Sequence, residues 1–242
     1  MNNLIKKCAR WLRYQTRKLF RPRTVTNQGL RIYLGDHAAT SYARSIYRDS
    51  HEAEEREIVL RNLADDDTVL ECGAGLGLVT ILCCRKIGSD RVHTVEANPA
   101  LESVLRKNFA LNQVSPHLQI KMVALEEGEN DFYVDDKFVT SSRFGSEEEV
   151  GRQQHKVATV ALQDLLDTIQ PTFLIMDIEG AEVDLADSRL DLSSLKKLCI
   201  EMHPQIVGNE AITRVVARLA EQGFTWQLTE SKQDVLYFKR AA

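Results

Sequence analysis

The chain predicts an α/β fold: a doubly wound, mostly parallel sheet of Rossmann-like design, with a C-terminal antiparallel hairpin and an N-terminal helical extension. Three observations carry this. Short apolar runs alternate with helical periodicity from residue 68 onward, as expected of strand–helix–strand units. An apolar run enters Glu71-Cys72-Gly73-Ala74-Gly75-Leu76-Gly77 and then a helical pattern, which is a strand, a tight turn and a helix start. A second run, residues 91–96, ends on a carboxylate, Glu96, where a parallel sheet presents ligand-binding groups.

In chain order, the first segment is basic and amphipathic. Residues 1–35 carry nine Lys and Arg and no acid; the chain total is −4, which leaves −13 on residues 36–242. Leu4, Ile5, Cys8, Trp11, Leu12, Leu19 and Phe20 recur near helical spacing with cations between them, and Pro22 ends the pattern. Two placements fit residues 1–23: on an anionic membrane surface, or packed on the acidic body. The expected organisation is a basic extension, 1–48, followed by one domain, 49–242. Leu30–Leu34 alternates like a short strand, and 49–63 reads as a helix capped by Asp49 or Ser50.

Further along, strands are expected at 68–71, 91–96, 118–123, 172–178 and 197–201, and helices at 76–87, 99–111, 162–168, 181–189 and 209–222. The runs Phe224–Leu228 and Val235–Phe238 flank a polar turn and read as a hairpin on the sheet edge. Residues 135–156 lack periodicity and read as a lid, a substrate loop or an insertion.

Composition sets outer limits. A hydrophobic content of 43% and a charged content of 27% are ordinary for a soluble domain. The five cysteines are odd in number and show no C-x-x-C pair, which reads as reduced thiols and a cytoplasmic location. No apolar run approaches the ~20 residues that span a bilayer.

The glycine spacing selects the ligand class. A dinucleotide fingerprint is G-x-G-x-x-G and a phosphate loop ends in Gly-Lys-Ser or Gly-Lys-Thr. Here the run is G-x-G-x-G, Leu78 stands where a third dinucleotide glycine would fall, and Glu71 would repel a pyrophosphate but attract a cation. S-adenosylmethionine fits: Glu96 would take the ribose hydroxyls, the Gly73–Gly75–Gly77 turn the methionine end, and Glu71 the cationic part. A nicotinamide-dependent oxidoreductase is the rival enzyme, and a catalytically silent module tethered by its basic arm is the rival outside enzymes. Nucleic acid is disfavoured as a partner because the acidic body offers no second basic surface.

Two more strand ends carry candidate chemistry. Asp177-Ile178-Glu179-Gly180-Ala181-Glu182 follows the 172–178 run; Asp177 and Glu179 both reach the ligand crevice if the chain turns at Ile178. Glu201-Met202-His203 follows the next run, so His203 is either a catalytic base or a structural hydrogen-bonder. No dedicated metal spacing is visible, so no resident metal is expected.

With these segments in view, the chain resembles the FkbM-type methyltransferases. The resemblance rests on 71–77, Val95–Pro99, Val123–Leu125, the serine pair 141–142, Val157–Leu165, Met176–Glu182 and Glu201–His203, and covers roughly 65–205. It implies a class I methyltransferase sheet and O-methylation of a hydroxyl on a small molecule or sugar. It adds Ala97, Asn98, Ala124 and Asp177 to the cofactor set, and makes His203, Asp177 and Glu179 the catalytic candidates. Glu71 replaces the family's usual Asp, and Met176 stands where a Lys is common.

Overall fold

A computed structural model describes residues 3–39, 43–135, 152–187 and 189–241. Its centre is a seven-stranded sheet. In chain order the strands are β3 (Val69–Cys72), β4 (Val92–Glu96), β5 (His117–Ile120), β9 (Phe173–Met176), β10 (Lys197–Glu201), β11 (Phe224–Trp226) and β12 (Val235–Arg240). Their spatial order is β11-β12-β10-β9-β3-β4-β5. The five strands from β10 to β5 are parallel, while β12 and β11 pair antiparallel at one edge. The doubly wound sheet and its hairpin are as expected.

Both faces are covered, which is why the strands read as unbroken apolar runs instead of alternating ones. In β9, Phe173 and Ile175 face helices α3 (Ala53–Asn62) and α4 (Leu78–Ile87), joining a core that includes Ile58, Val59, Val79 and Cys83. Leu174 and Met176 face the other way, against Leu165 and Leu166 of α6 (Leu162–Ile169) and Val215 and Leu219 of α8 (Asn209–Glu221). Helix α5 (Glu102–Leu111) follows a single tight turn at Pro99–Leu101.

A hairpin missed in the sequence lies before the sheet. Strand β1 (Thr24–Asn27) pairs with β2 (Leu30–Tyr33) across Gln28-Gly29, whose φ values of +46° and +87° are those a two-residue hairpin turn requires. With α2 (Ala43–Tyr47) it shares a core with α4 and α5: Leu30, Ile32 and Ile46 sit with Leu78, Leu105 and Phe109. Two amides, one within α5 and one at its C-cap, take the place of a neighbouring strand along β2. Asn108 Oδ1 accepts from Tyr33 N–H at 2.6 Å, and Asn112 Oδ1 from Arg31 N–H at 3.0 Å. Helix α1 (Asn3–Phe20) precedes the hairpin.

Several boundaries differ from the sequence reading. The single strand expected at 118–123 divides at Lys121: β5 stays in the main sheet, and β6 (Met122–Ala124) joins a second sheet with β7 (Gly128–Asp135) and β8 (Arg152–Ala161). Parts of the 135–156 stretch are therefore strand, because β7 and β8 pair antiparallel over eight positions. Residues 136–151, including the serine pair 141–142, lie outside the described residues. The helix expected at 181–189 is a tight 3-10 segment, Ala181–Ala186. The helix expected from 49 starts at Ala53, because Asp49 and Glu52 have φ of +59° and +50°, which break the helical path. No helix among the described residues is long and apolar enough to cross a membrane. All five cysteines are free.

Candidate active site

The carboxyl ends of β3, β4 and β9 and the start of β6 converge on a cavity of about 180 Å³. Of the residues singled out in the sequence, Gly73, Gly75, Glu96, Ala97, Asn98, Asp177 and Glu179 line it. Glu71, Gly77, Ala124 and His203 do not.

Glu96 is buried at the end of β4, and its two oxygens are held apart by the backbone: Gly75 N–H donates to Oε2 at 2.9 Å and Asn98 N–H to Oε1 at 2.8 Å. Burial raises its proton affinity and these N–H groups oppose the rise.

The glycines serve different ends. At Gly73 an added Cβ would lie 1.8 Å from the Asp177 carbonyl oxygen, so the glycine lets the turn after β3 lie against the turn after β9. Gly77 starts α4 at φ +79°, and a Cβ there would meet Phe109 at 2.7 Å. Glycine there is explained by packing against α5, and Gly77 is not on the cavity wall. Glu71 is not on it either. It is 3% exposed beneath the turn, accepts from the Thr80 hydroxyl, and burial pushes its pKa up to about 8. A buried carboxyl of raised proton affinity beneath the turn is poorly placed to meet a sulfonium or ammonium. Ala124 faces a separate groove with Glu126 and Arg189; Met122 and Val123 reach the cavity in its place.

After β9 the chain turns sharply, with φ of +51° at Glu179 and +102° at Gly180. Asp177 and Glu179 consequently both reach the cavity. The turn is pinned by buried Glu182, whose Oε1 accepts from Ile178 N–H at 2.9 Å and Oε2 from Gly180 N–H at 2.8 Å. Glu182 also holds His203: Nδ1 lies 3.1 Å from Oε1. His203 Nε2 lies 3.5 Å from both Asp177 Oδ1 and Glu179 Oε2. Burial alone would lower the histidine's pKa, but Glu182, Asp177 and Glu179 outweigh it and lift it to about 9. At 5% exposure, His203 sits behind the cavity wall, and the surrounding carboxylates favour its charged form, which weighs against its reading as the leading base.

Asp177 differs. Burial and the neighbouring Glu201 push its pKa well up, His203 pulls it back, and its buried Oδ1 accepts no hydrogen bond. Glu52 Oε2, also on the cavity wall, likewise accepts none. The cavity is rich in acceptors, which suits hydroxyls and cationic groups and opposes a pyrophosphate. S-adenosylmethionine, with a ribose diol, a sulfonium and an ammonium, fits that donor demand. Among the described residues Asp177, Glu182 and His203 bring potential metal-ligand atoms within 4.8 Å of one another. Both Glu182 oxygens already accept backbone N–H groups, which leaves them less free to hold a cation.

The sequence did not flag His51, Glu52, Lys121, Met122 or Phe132 as cavity residues. Phe132 had a signal, since Phe132 and Val134 alternate with polar neighbours as in a strand. His51 and Glu52 had none, because they sit in a turn that read as the start of a helix.

A family model for the methyltransferase FkbM domain matches residues 71–225. A protein of Methanocaldococcus jannaschii named "Putative protein N5-glutamine methyltransferase" is 37% identical over 65 residues, which is 26% of this chain and 32% of that protein, so the match spans about a third of the relative. A solved structure described as "A putative sam-dependent methyltransferase from Streptococcus mutans" superposes with a TM-score of 0.52 at 10% identity, covering 90% of this chain and 56% of that one. The M. jannaschii protein TYW2, solved in complex with AdoMet, gives a TM-score of 0.47 at 15% identity over 90% of this chain and 86% of that one. The chain belongs to the FkbM methyltransferase domain family, and its methyl donor is S-adenosylmethionine.

Proposed function

We propose that the protein methylates a hydroxyl of a small molecule or sugar, with Asp177 as the base. The observation that carries the reading is Asp177 Oδ1: buried, accepting no hydrogen bond although His203 Nε2 stands 3.5 Å away, and on the wall of the cavity that Glu96 and the Gly73–Gly75 turn also line. A hydroxyl is a poor nucleophile until its proton leaves, and a carboxylate of raised proton affinity is suited to take it near neutral pH.

Glu96 would receive the ribose hydroxyls, Asn98 and Ala97 would flank them, and Glu52 would attract the ammonium. When bound, S-adenosylmethionine supplies an electrophilic methyl carbon. Asp177 accepts the acceptor's proton at Oδ1, and Glu179 shares in orienting the hydroxyl. His203 is a positioning residue whose charge offsets the crowded carboxylates Asp177, Glu179 and Glu182. Met122, Val123 and Phe132 provide the apolar wall that limits water, which helps a charge-dispersing transfer.

Asp177→Asn keeps the shape and removes the base. Methyl transfer, followed by mass spectrometry across a panel of sugars and hydroxylated small molecules, should fall by roughly 10²–10⁴-fold. S-adenosylmethionine binding by calorimetry should persist. Unchanged turnover in Asp177→Asn would remove the base assignment, and a product methylated on nitrogen or carbon would remove the hydroxyl reading.

A further inference from the structure

Helix α1 is mounted with its polar side toward the body. At about 100° per residue, Trp11, Leu12 and Leu19 fall on one arc and Arg10, Arg13 and Arg17 on the opposite one. The second arc makes the contacts. Buried Arg17 donates to Asp49 Oδ1 at 2.7 Å and to the Tyr47 carbonyl at 3.0 Å; Arg13 donates to Asp49 Oδ2 at 3.1 Å. Between them Tyr14 packs on the core and lies under the Arg48 guanidinium. The apolar arc faces outward: Trp11 is 63%, Leu12 62% and Leu19 76% exposed, and Phe20, at the end of the helix on the Arg13 side, is 74% exposed.

A surface helix of a globular domain does the reverse, burying its apolar stripe and showing its charges. Of the seven large hydrophobic side chains exposed among the described residues, four are on this one helix, so they form a patch and not a scatter. Exposed Lys7 and Lys18 border the patch on the Trp11 side with exposed Arg10 beyond them, and Arg21 and Arg23 follow it.

We propose that this face seats in the interface of an anionic lipid bilayer, with α1 lying in the membrane plane and the methyltransferase body held beside it through Asp49. A bilayer answers both halves of the surface: Trp and Leu enter the acyl boundary, and the flanking cations meet acidic headgroups. A second copy of the chain would cover the apolar arc but set Lys7, Arg10 and Lys18 against their own counterparts, a repulsive arrangement. Asp49 lies two positions before His51 and three before Glu52 on the cavity wall, so the anchor and that wall share one turn.

The test uses the full chain and flotation with vesicles of phosphatidylcholine alone or mixed with phosphatidylserine. Wild type should float with the mixed vesicles at least about tenfold better than with the neutral ones, and salt should weaken it. Trp11→Glu with Leu19→Glu should reduce binding to mixed vesicles by about tenfold or more. Lys7→Glu with Arg10→Glu should remove the preference for acidic lipid. All four positions are exposed, so the thermal midpoint of each variant should stay at the wild-type value. Equal flotation with both vesicle types, flotation with neither, or variants that float like wild type would overturn the proposal. So would a dimer in sedimentation velocity that Trp11→Glu dissolves while wild type ignores vesicles, since that assigns the face to a second copy.

Discussion

Glu71 keeps in the fold a proton that the unfolded chain gives up, and this has a measurable sign. Its pKa rises from an ordinary 4.5 to about 8, chiefly through burial. The folded state thus binds more protons than the unfolded state between those values, so wild-type stability declines as pH climbs through that window and levels off above it. Glu71→Gln keeps the shape and the acceptor for Thr80 without the titration. The stability gap in favour of the variant should open with pH, reaching on the order of 3 kcal/mol at pH 7. Denaturant melts at pH 5 and pH 8 check it; a gap that does not change with pH would show that Glu71 ionises freely. His203 offers a second residue-scale prediction. If its imidazolium holds Asp177 ready as the base, the rate should fall at acid pH as Asp177 protonates and fall again near pH 9 as His203 loses its proton. His203→Gln should abolish the alkaline limb and move the acid limb upward, since Asp177 loses the charge that restrained its pKa. A uniform loss of roughly 10²–10⁴-fold at every pH would instead return His203 to the role of base.

Turns decide more of this site than regular elements do. The Gly73 turn and the Asp177–Gly180 turn lie against each other, and the room between them is backbone room. Gly73→Ala places a methyl 1.8 Å from the Asp177 carbonyl oxygen at φ +94°, whereas Gly88→Ala meets nothing within 4 Å at φ +89°. Both strain an L-residue at positive φ, on the order of 1–3 kcal/mol; only Gly73 adds a collision. Gly73→Ala should lower stability by on the order of 3–5 kcal/mol and Gly88→Ala by about 1–2, read from denaturant midpoints. Equal losses would mean that conformation, not the neighbouring turn, demands glycine at 73. The need for glycine was legible from spacing, but its cause was not. Sequence logic assigned the missing Cβ to a ligand, and the structure assigns it to another loop 104 positions away. The same limit explains Glu71 and His203. Their positions at strand ends could be read, but burial and the company of Glu182, Asp177 and Glu179 set their charge states, and those are tertiary facts. Residues 24–47 were hard to read because β2 borrows its edge partners from Asn108 and Asn112, side chains some 75 and 81 positions distant.

At the scale of the whole molecule, a buried parallel sheet announces itself through apolar runs such as Phe173–Met176, which is why its order was readable, while the three-stranded annex β6-β8-β7 was not. Its strands pair over a gap of many residues and show little apolar alternation beyond Phe132. The annex nonetheless matters, since Met122, Val123 and Phe132 form one wall of the cavity and the turns after β3, β4 and β9 form the others. A ligand that fills the cavity therefore ties annex to sheet and stabilises the fold as a unit. Binding to the native state alone adds RT ln(1 + [L]/Kd), about 2.7 kcal/mol at a hundredfold excess over Kd. For a chain of this length that corresponds to roughly 5–10 °C in thermal midpoint. S-adenosylmethionine and its demethylated product should each produce a shift of that size, and NAD should produce none, because its pyrophosphate would enter a pocket lined by the carboxylates of Glu52, Glu96, Asp177 and Glu179. Glu96→Ala removes the charged acceptor for two hydroxyls, about 1.5–3 kcal/mol of binding, and should cut the shift to roughly half or less at the same ligand concentration. A folded Glu96→Ala protein with the full shift would move the ribose away from β4, and a shift with NAD equal to that with S-adenosylmethionine would mean that the acidic wall does not select the ligand.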